Sequence, residues 1–167
     1  MTKSNFAFMA EKWEFLQFDA QSAEKFALSE PRVSAIYARR TLELALKWLF
    51  KRDSALRSAQ DKNLAAMIHD PVFSGAIQKG LFFDIKFIHK LGNVAAHSDQ
   101  TISDEESIKA TQALHSFLGW LTRIYTKGSA APEAFDQAFI PKPAVDAGKM
   151  NKQQITKMQL LMKDKDE

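Results

Sequence analysis

The sequence predicts an all-α protein: a compact helical bundle of about five to seven helices, followed by an extended C-terminal linker and a terminal helix. Apolar residues make up 46% of the 167 residues and recur at helical spacing over most of the chain. Only six glycines and five prolines occur, and several stand at segment edges, which favours long helices over a turn-rich β fold. The 13 phenylalanines are enough for an apolar core.

The composition also excludes several classes of protein. The chain has no cysteine, which rules out a disulfide framework and a thiolate metal site and fits a reducing cytoplasm. The 23 basic and 20 acidic residues are mixed along the chain, so no basic stripe for gripping nucleic acid is evident. No apolar run reaches the roughly 18 residues of a membrane span, and the N-terminus lacks a signal-peptide pattern. We therefore expect a cytoplasmic protein without a membrane partner.

In the first half of the chain, the sequence predicts helices on both sides of Pro31. Residues 6–18 and 19–28 form two helices, or one bent helix across both. Pro31 marks the boundary, because a proline disfavours helix in the residue before it and suits the first helical turn. The next helix, over residues 31–51, is apolar around much of its circumference, which is typical of a central helix.

The central helix carries charged residues in its middle. Arg39 and Glu43 lie four positions apart, a spacing at which two opposite charges can pair on one face of a helix. If that face is solvated, the pair contributes only a few tenths of a kcal/mol. If one or both side chains point inward, they meet another polar group. Both interpretations are open at this point.

After the central helix, the sequence predicts short structural elements and, further along the chain, a long helix. The short elements are a polar loop over residues 52–61 and helices over residues 63–68 and 71–78, the last of which Asp70 can cap. The long helix is predicted after Ser103 and Glu106, which have the spacing of a capping box. It extends to about residue 126.

The stretch over residues 82–98 carries the polar groups that look functional. It begins as a helix and then meets Gly92 and Asn93, a pair that often closes or kinks a helix. The sequence therefore predicts a sharp polar corner here. Asn93 and His97 lie four apart and share one face where the chain is helical. Lys90 completes this polar cluster.

The chain divides into three regions. Residues 1–127 form the helical bundle domain, and residues 128–149 form a Pro/Ala-rich linker. We expect this linker to lie along the bundle through its scattered apolar and aromatic side chains. Residues 150–167 have apolar residues at helical spacing and end in a charged run without a cap. We expect them to begin a connecting helix to downstream domains of a larger protein.

The familiar catalytic sequence patterns are absent from the chain. The chain has no GxxxxGK[ST], GxGxxG, GxSxG or HExxH sequence. Its four histidines lack the spacing of a metal site, so no metal is expected: His69, His89, His97 and His115.

The polar cluster has a catalytic and a structural interpretation. The imidazole of His97 can serve as a general acid or base, Lys90 can stabilise a phosphate, and Asn93 can orient either. These are the groups of a metal-independent ribonuclease. In the structural interpretation, Asn93 and His97 bond to backbone groups freed by the bend, or to Arg39 or Glu43.

Four segments, in this order, resemble one known domain. They are residues 4–8 (SNFAF), 38–43 (ARRTLE), 63–68 (NLAAMI) and, above all, 90–97 (KLGNVAAH). Together they resemble the helical domain that begins many R (restriction, or HsdR-type) subunits of type I restriction–modification enzymes. The resemblance covers about residues 4–127.

This resemblance implies that the activities of the parent enzyme belong to different domains. The parent enzyme would be a site-specific deoxyribonuclease that binds DNA, hydrolyses ATP with Mg²⁺, translocates and cuts through a nuclease and a helicase-like motor. Those residues would lie beyond residue 167. The present chain would then be no enzyme and would hold no cofactor of its own. It would dock the downstream nuclease and motor domains of the same chain, or the modification and specificity subunits, and meet DNA only through the parent.

The same region is similar to the HEPN superfamily, helical bundles that include ribonucleases. Their active motif is an Arg, usually followed by a polar residue, then four to six residues and a His. Lys90 stands in the place of that Arg, and six residues separate it from His97. Asn93 is displaced from the position after the basic residue. The alternatives to the docking module are therefore a HEPN-like metal-independent ribonuclease or toxin, and a helical module that binds nucleic acid through Lys and Arg.

Overall fold

The computed structural model describes residues 3–59, 63–126, 132–143 and 152–165, and within these ranges it contains helices and no strand. The α-helices there are α1 Glu14–Phe26, α2 Pro31–Arg52, α3 Leu64–Ile68, α4 Pro71–Ala76, α5 Lys79–His97, α6 Asp104–Tyr125 and α7 Lys152–Lys165. Short 3-10 helices occur at Ala7–Met9, Ser54–Ala59 and Gln137–Phe139. The prediction of an all-α bundle with five to seven helices is confirmed.

Helix α2 lies at the centre of the bundle. It packs against α1, α5 and α6. Its apolar side chains are buried on several sides of the helix, among them Val33, Ile36, Leu42, Leu46, Leu49 and Phe50. This burial explains why residues 31–51 are apolar around much of the helix circumference. Pro31 stands in the first helical turn, as predicted.

The N-terminal region differs from the prediction. Instead of helices over residues 6–28, the chain forms the 3-10 helix Ala7–Met9 and then one helix, α1. The interruption coincides with Glu11, whose φ of 73° lies in the left-handed region and cannot continue a right-handed helix. Phe6 and Met9 are fully buried. Their contacts with the core therefore hold the short turn in place.

Side-chain caps begin three helices. Asn63 accepts from a backbone amide at the start of α3, and Asp70 accepts from two at the start of α4. Ser103 and Glu106 form the predicted capping box of α6, with N–O distances of 3.0 and 3.1 Å. The predicted loop over residues 52–61 is not fully irregular, since it contains the 3-10 helix Ser54–Ala59.

A buried carboxylate on α1 fixes the start of the chain. Glu24 accepts hydrogen bonds from the Ser4 hydroxyl at 2.7 Å and from the backbone N and the Nδ2 of Asn5, both at 2.8 Å. Asn5 also exchanges two hydrogen bonds with the backbone of Asp136, at 2.9 and 2.7 Å. Asn5 therefore joins the N-terminal segment, α1 and the segment over residues 132–143.

We expect Glu24→Ala to lower the free energy of unfolding by about 3 kcal/mol. The substitution removes a charged acceptor of three hydrogen bonds, and such bonds contribute roughly 1.5–3 kcal/mol each without adding fully. Lys25→Ala, at an exposed neighbour on the same helix, should change it by less than about 0.5 kcal/mol. Urea denaturation measures both, and similar losses in the two variants would contradict this role of Glu24.

The described part of the predicted linker lies on the bundle. Ile140 is buried, and the ring of Phe135 meets the ring of His115 edge-on, with centroids 5.7 Å apart. Packing on the bundle therefore continues to at least Ile140, beyond the predicted domain boundary at residue 127. The other residues of the predicted linker, 128–131 and 144–149, lie outside the described ranges.

The terminal helix predicted within residues 150–167 is present as α7. It packs against α5 and α2, and Met158 contacts the core. The Nε2 of Gln159 donates a hydrogen bond to the carbonyl oxygen of Ala95 at 2.6 Å. Helix α7 thus lies beside the C-terminal end of α5.

Candidate functional site

A polar cleft opens where α2, α3 and α5 meet. Its volume is about 450 Å³. The residues that line it are Arg39 from α2, Asn63, Leu64 and Ala65 at the start of α3, and His89, Asn93, Val94 and His97 from α5. The cleft therefore contains three of the four residues of the predicted structural cluster: Arg39, Asn93 and His97.

Helix α5 runs unbroken through Gly92, so the predicted corner at Gly92 and Asn93 is wrong. A Cβ atom built on Gly92 would lie 2.4 Å from the Cβ and 2.6 Å from the Cδ of Arg39. Glycine at this position allows the backbones of α5 and α2 to approach closely. Its role is helix packing.

Arg39 is buried at this contact, with 1% of its surface exposed. Glu43, one turn later on α2, is also buried and forms a 3.0 Å ion pair with Lys47. Burial lowers the pKa of Arg39, and the charge of Glu43 acts in the opposite direction. A guanidinium stays charged at neutral pH in spite of such a shift. The burial of Arg39 and Glu43 excludes a solvated ion pair and leaves the inward-facing alternative.

Asn93 orients a histidine that was not part of the predicted cluster. Its Nδ2 lies 3.1 Å from the Nε2 of His89. Burial is the main cause that lowers the pKa of His89, followed by the charges of Arg39 and His69, while Glu43 raises it. A neutral imidazole protonated at Nδ1 can accept the Asn93 amide at Nε2. His89 thus enters the cleft as a neutral, positioned ring.

The three residues of the ribonuclease hypothesis do not line one cavity. Asn93 and His97 line the cleft together with Arg39. Lys90 is exposed and lines a neighbouring groove of about 430 Å³, which contains Phe87 and meets the cleft at His89, a residue that lines both. The basic group that shares a cleft with His97 is therefore the buried Arg39.

His97 is the exposed last residue of α5, and distant parts of the chain contact the backbone around it. Arg32 donates from Nη1 to the carbonyl oxygens of Ala95 at 2.6 Å and Ser98 at 2.8 Å. Gln159 of α7 donates to the same carbonyl of Ala95. A groove of about 310 Å³ between His97 and α7 adjoins the cleft. Helix α7 therefore restricts one side from which a substrate could approach His97.

The spacing in the sequence does indicate that His89, which was missed, belongs with Asn93 and His97. His89, Asn93 and His97 follow one another at intervals of four, which places them on one face of an unbroken helix. A kink at Gly92 would separate His89 from His97. The expected kink therefore concealed this face.

A second buried histidine, His115 on α6, lies beneath the segment over residues 132–143. The rings of Phe6, Phe8 and Phe135 meet it edge-on, with centroids 5.9, 5.5 and 5.7 Å away. Burial lowers the pKa of His115, and a hydrogen bond with the backbone of Glu133 acts in the opposite direction. This ring is part of the core and belongs to no cluster with the cleft.

We expect the free energy of unfolding to fall between about pH 7.5 and about pH 5.5. His89 and His115 have folded pKa values below the unfolded value of about 6.5, so the unfolded chain binds protons more readily. Their contribution is complete above that value and is lost as the pH falls through the folded pKa. Urea denaturation at both pH values measures it, and a fall that is equally steep in the double variant His89→Gln/His115→Phe would contradict this origin.

No group of three or more His, Cys, Asp or Glu side chains in the described ranges could hold a metal ion. Among the helices in those ranges, none is both long and apolar enough to cross a membrane.

Comparisons with known proteins identify a family without an assigned function. No curated protein and no solved structure matches the chain. A family model described as a domain of unknown function, DUF4145, matches residues 21–143. The match includes α2 to α6, and thus the whole cleft, and extends through the segment over residues 132–143. The chain therefore belongs to the DUF4145 family.

Proposed function

We propose that the chain is a non-catalytic docking module, the N-terminal accessory domain of an R subunit of a type I restriction–modification enzyme. The resemblance of residues 4–127 to that domain supports the identity of the parent. The non-catalytic role is supported by one observation. Lys90 does not line the cleft that contains Asn93 and His97. ATP hydrolysis, Mg²⁺ binding and DNA cleavage are assigned by this proposal to other domains of the parent.

The geometry of the cleft supports packing over catalysis. A ribonuclease needs its basic group and its imidazole to reach the same phosphate. Arg39 is 1% exposed, its aliphatic chain contacts Gly92, and its charge faces Glu43. Lys90, the exposed basic residue, lines a different groove. Arg39 therefore braces α2 against α5 at Gly92.

Co-purification tests the docking role. The tagged chain would be co-expressed with the modification and specificity subunits of its own system and separated by size-exclusion chromatography. We expect the chain to elute with one or both subunits. Separate elution of all three proteins would contradict the proposal. As an independent test of the parent, the gene should continue beyond codon 167 into nuclease and helicase motifs.

A metal-independent ribonuclease is the second candidate function. It is favoured by one observation, that the guanidinium of Arg39 and the imidazole of His97 line the same cleft. Arginine can grip a phosphate at two points, which lysine cannot. This candidate requires Arg39 to become accessible to RNA. An RNA cleavage assay of the chain and its His97→Ala variant distinguishes the ribonuclease from the docking module.

A further inference from the structure

The outer side of α5 carries lysines and phenylalanines side by side, and α6 adds another lysine. We name this region the Lys–Phe surface; it consists of Lys79, Phe82, Phe83, Lys86, Phe87 and Lys90 of α5 and Lys109 of α6. The groove of about 430 Å³ lies within it, between α5 and α6. Phe83 is 53% exposed at this groove and therefore offers apolar surface to a partner.

The Lys–Phe surface is strongly basic. Its four lysines are exposed, whereas the groove contains a single carboxylate, the half-buried Asp84. Lys109 is close enough to Asp84 to lower the pKa of that carboxyl group, against the larger effect of burial, which raises it. The net charge of the whole chain is only +3. The four lysines and Asp84 give this surface a net charge of +3, because Lys109 of α6 joins the lysines of α5.

The ammonium groups lie over the aromatic rings. The Nζ of Lys86 is 5.4 Å from the ring centroid of Phe82 and 5.8 Å from that of Phe83. The Nζ of Lys109 is 4.4 Å from the ring of Phe87. These cation–π contacts hold the charges at the edge of an apolar groove. The result is an apolar centre with a positively charged rim.

We propose that the Lys–Phe surface binds an acidic amphipathic helix of a partner protein. Protein interfaces combine an apolar centre, where aromatic anchors are fully covered, with a polar rim. An apolar side chain of the partner would enter the groove against Phe83 and Phe87, while its carboxylates pair with Lys86, Lys90 and Lys109. This inference rests on the docking role proposed above and assigns that role to a surface.

The positions of the ammonium groups favour a protein helix over a nucleic acid. A base stacks on the face of an aromatic ring, and lysines lie over the faces of Phe82, Phe83 and Phe87. A planar base needs a whole uncovered ring face, whereas an aliphatic side chain can contact the exposed part of Phe83 beside these lysines. Carboxylates, in contrast, can pair with the ammonium groups where they already lie.

Fluorescence anisotropy with the full chain tests the proposal. The probe is a labelled synthetic helical peptide with Leu and Glu at i, i+4 spacing, and the reference is the same peptide with Gln in place of Glu. We expect the Glu peptide to bind and its affinity to fall as salt is added. Phe83→Ala and Lys86→Glu should each weaken binding about tenfold. Phe18→Ala, at a ring that is 71% exposed on α1, and Lys51→Glu, at an exposed lysine on α2, are matched controls that should change it less than about twofold.

Four outcomes would overturn the proposal. They are no binding of the Glu peptide, equal binding of the Gln peptide, equal losses in the control variants, and tighter binding of oligo(dT) with the same dependence on Phe83 and Lys86. Failure of the docking role is distinguishable from failure of this surface. Co-elution with the subunits that is insensitive to Phe83→Ala and Lys86→Glu rejects the surface alone. Peptide binding without co-elution rejects the restriction-subunit role alone.

Discussion

Replacing Gly92 with alanine should lower the free energy of unfolding by about 3 kcal/mol, at the upper end of the cost of overpacking. The added methyl group would lie 2.4 Å from the Cβ of Arg39, a distance that non-bonded carbon atoms do not adopt. That Cβ is fixed to the backbone of α2, so a side-chain rotation cannot remove the overlap. The two helices would have to separate along their contact.

The matched control for this variant is Gly80→Ala in the first turn of the same helix. A Cβ atom there would have no neighbour within 4 Å. Alanine is the better helix former by up to about 1 kcal/mol, so Gly80→Ala should leave stability unchanged or raise it slightly. Chemical denaturation of both variants measures the difference. Equal stability of the two would contradict the close contact between α2 and α5.

Replacing Arg39 with alanine should lower the free energy of unfolding by about 3–5 kcal/mol. The change leaves a space between α2 and α5 and removes the positive charge that faces the buried Glu43. Buried charge pairs can often be replaced by apolar residues of similar volume with little loss. The double variant Arg39→Met/Glu43→Leu should therefore be more stable than Arg39→Ala.

Urea denaturation of the two Arg39 variants separates packing from charge. A small loss in Arg39→Ala would show that the guanidinium does not support the α2–α5 contact. A loss in the double variant as large as that in Arg39→Ala would show that the charges of Arg39 and Glu43, and not the filled volume, stabilise the contact. The bracing role of the cleft predicts neither outcome.

The parts of the fold that local sequence determines could be predicted. Pro31 in the first turn of α2 and the Ser103–Glu106 capping box of α6 act within a few residues, so their patterns are visible in the sequence. The central position of α2 also follows from its own composition, because a helix that is apolar on several sides must be covered on several sides.

The failures occurred where a distant residue decides the local structure. Gly92 resembles a helix terminator, but the side chain it accommodates is Arg39, more than 50 positions earlier in the chain. The positive φ at Glu11 ends the predicted N-terminal helix, and no proline or glycine marks that position.

The candidate sites were predictable only in part, for the same reason. Asn93 and His97 were recognised as a polar pair, since their spacing is local. Arg39 was predicted as one of two partners of that pair and lines the same cleft, whereas His89 was missed and Lys90 lines the neighbouring groove through the packing of α5 against α2 and α6. The Lys–Phe surface was missed because Lys109 comes from a different helix than its other lysines.

An RNA cleavage assay tests most directly whether the polar residues of the cleft stabilise the bundle or catalyse RNA cleavage. The purified chain and its His97→Ala variant would be incubated with single-stranded RNA in the presence of EDTA, after their unfolding curves confirm that both are folded. The bracing role predicts that neither protein cleaves RNA above background. Cleavage by the wild-type chain that is lost in His97→Ala would contradict it and establish the ribonuclease.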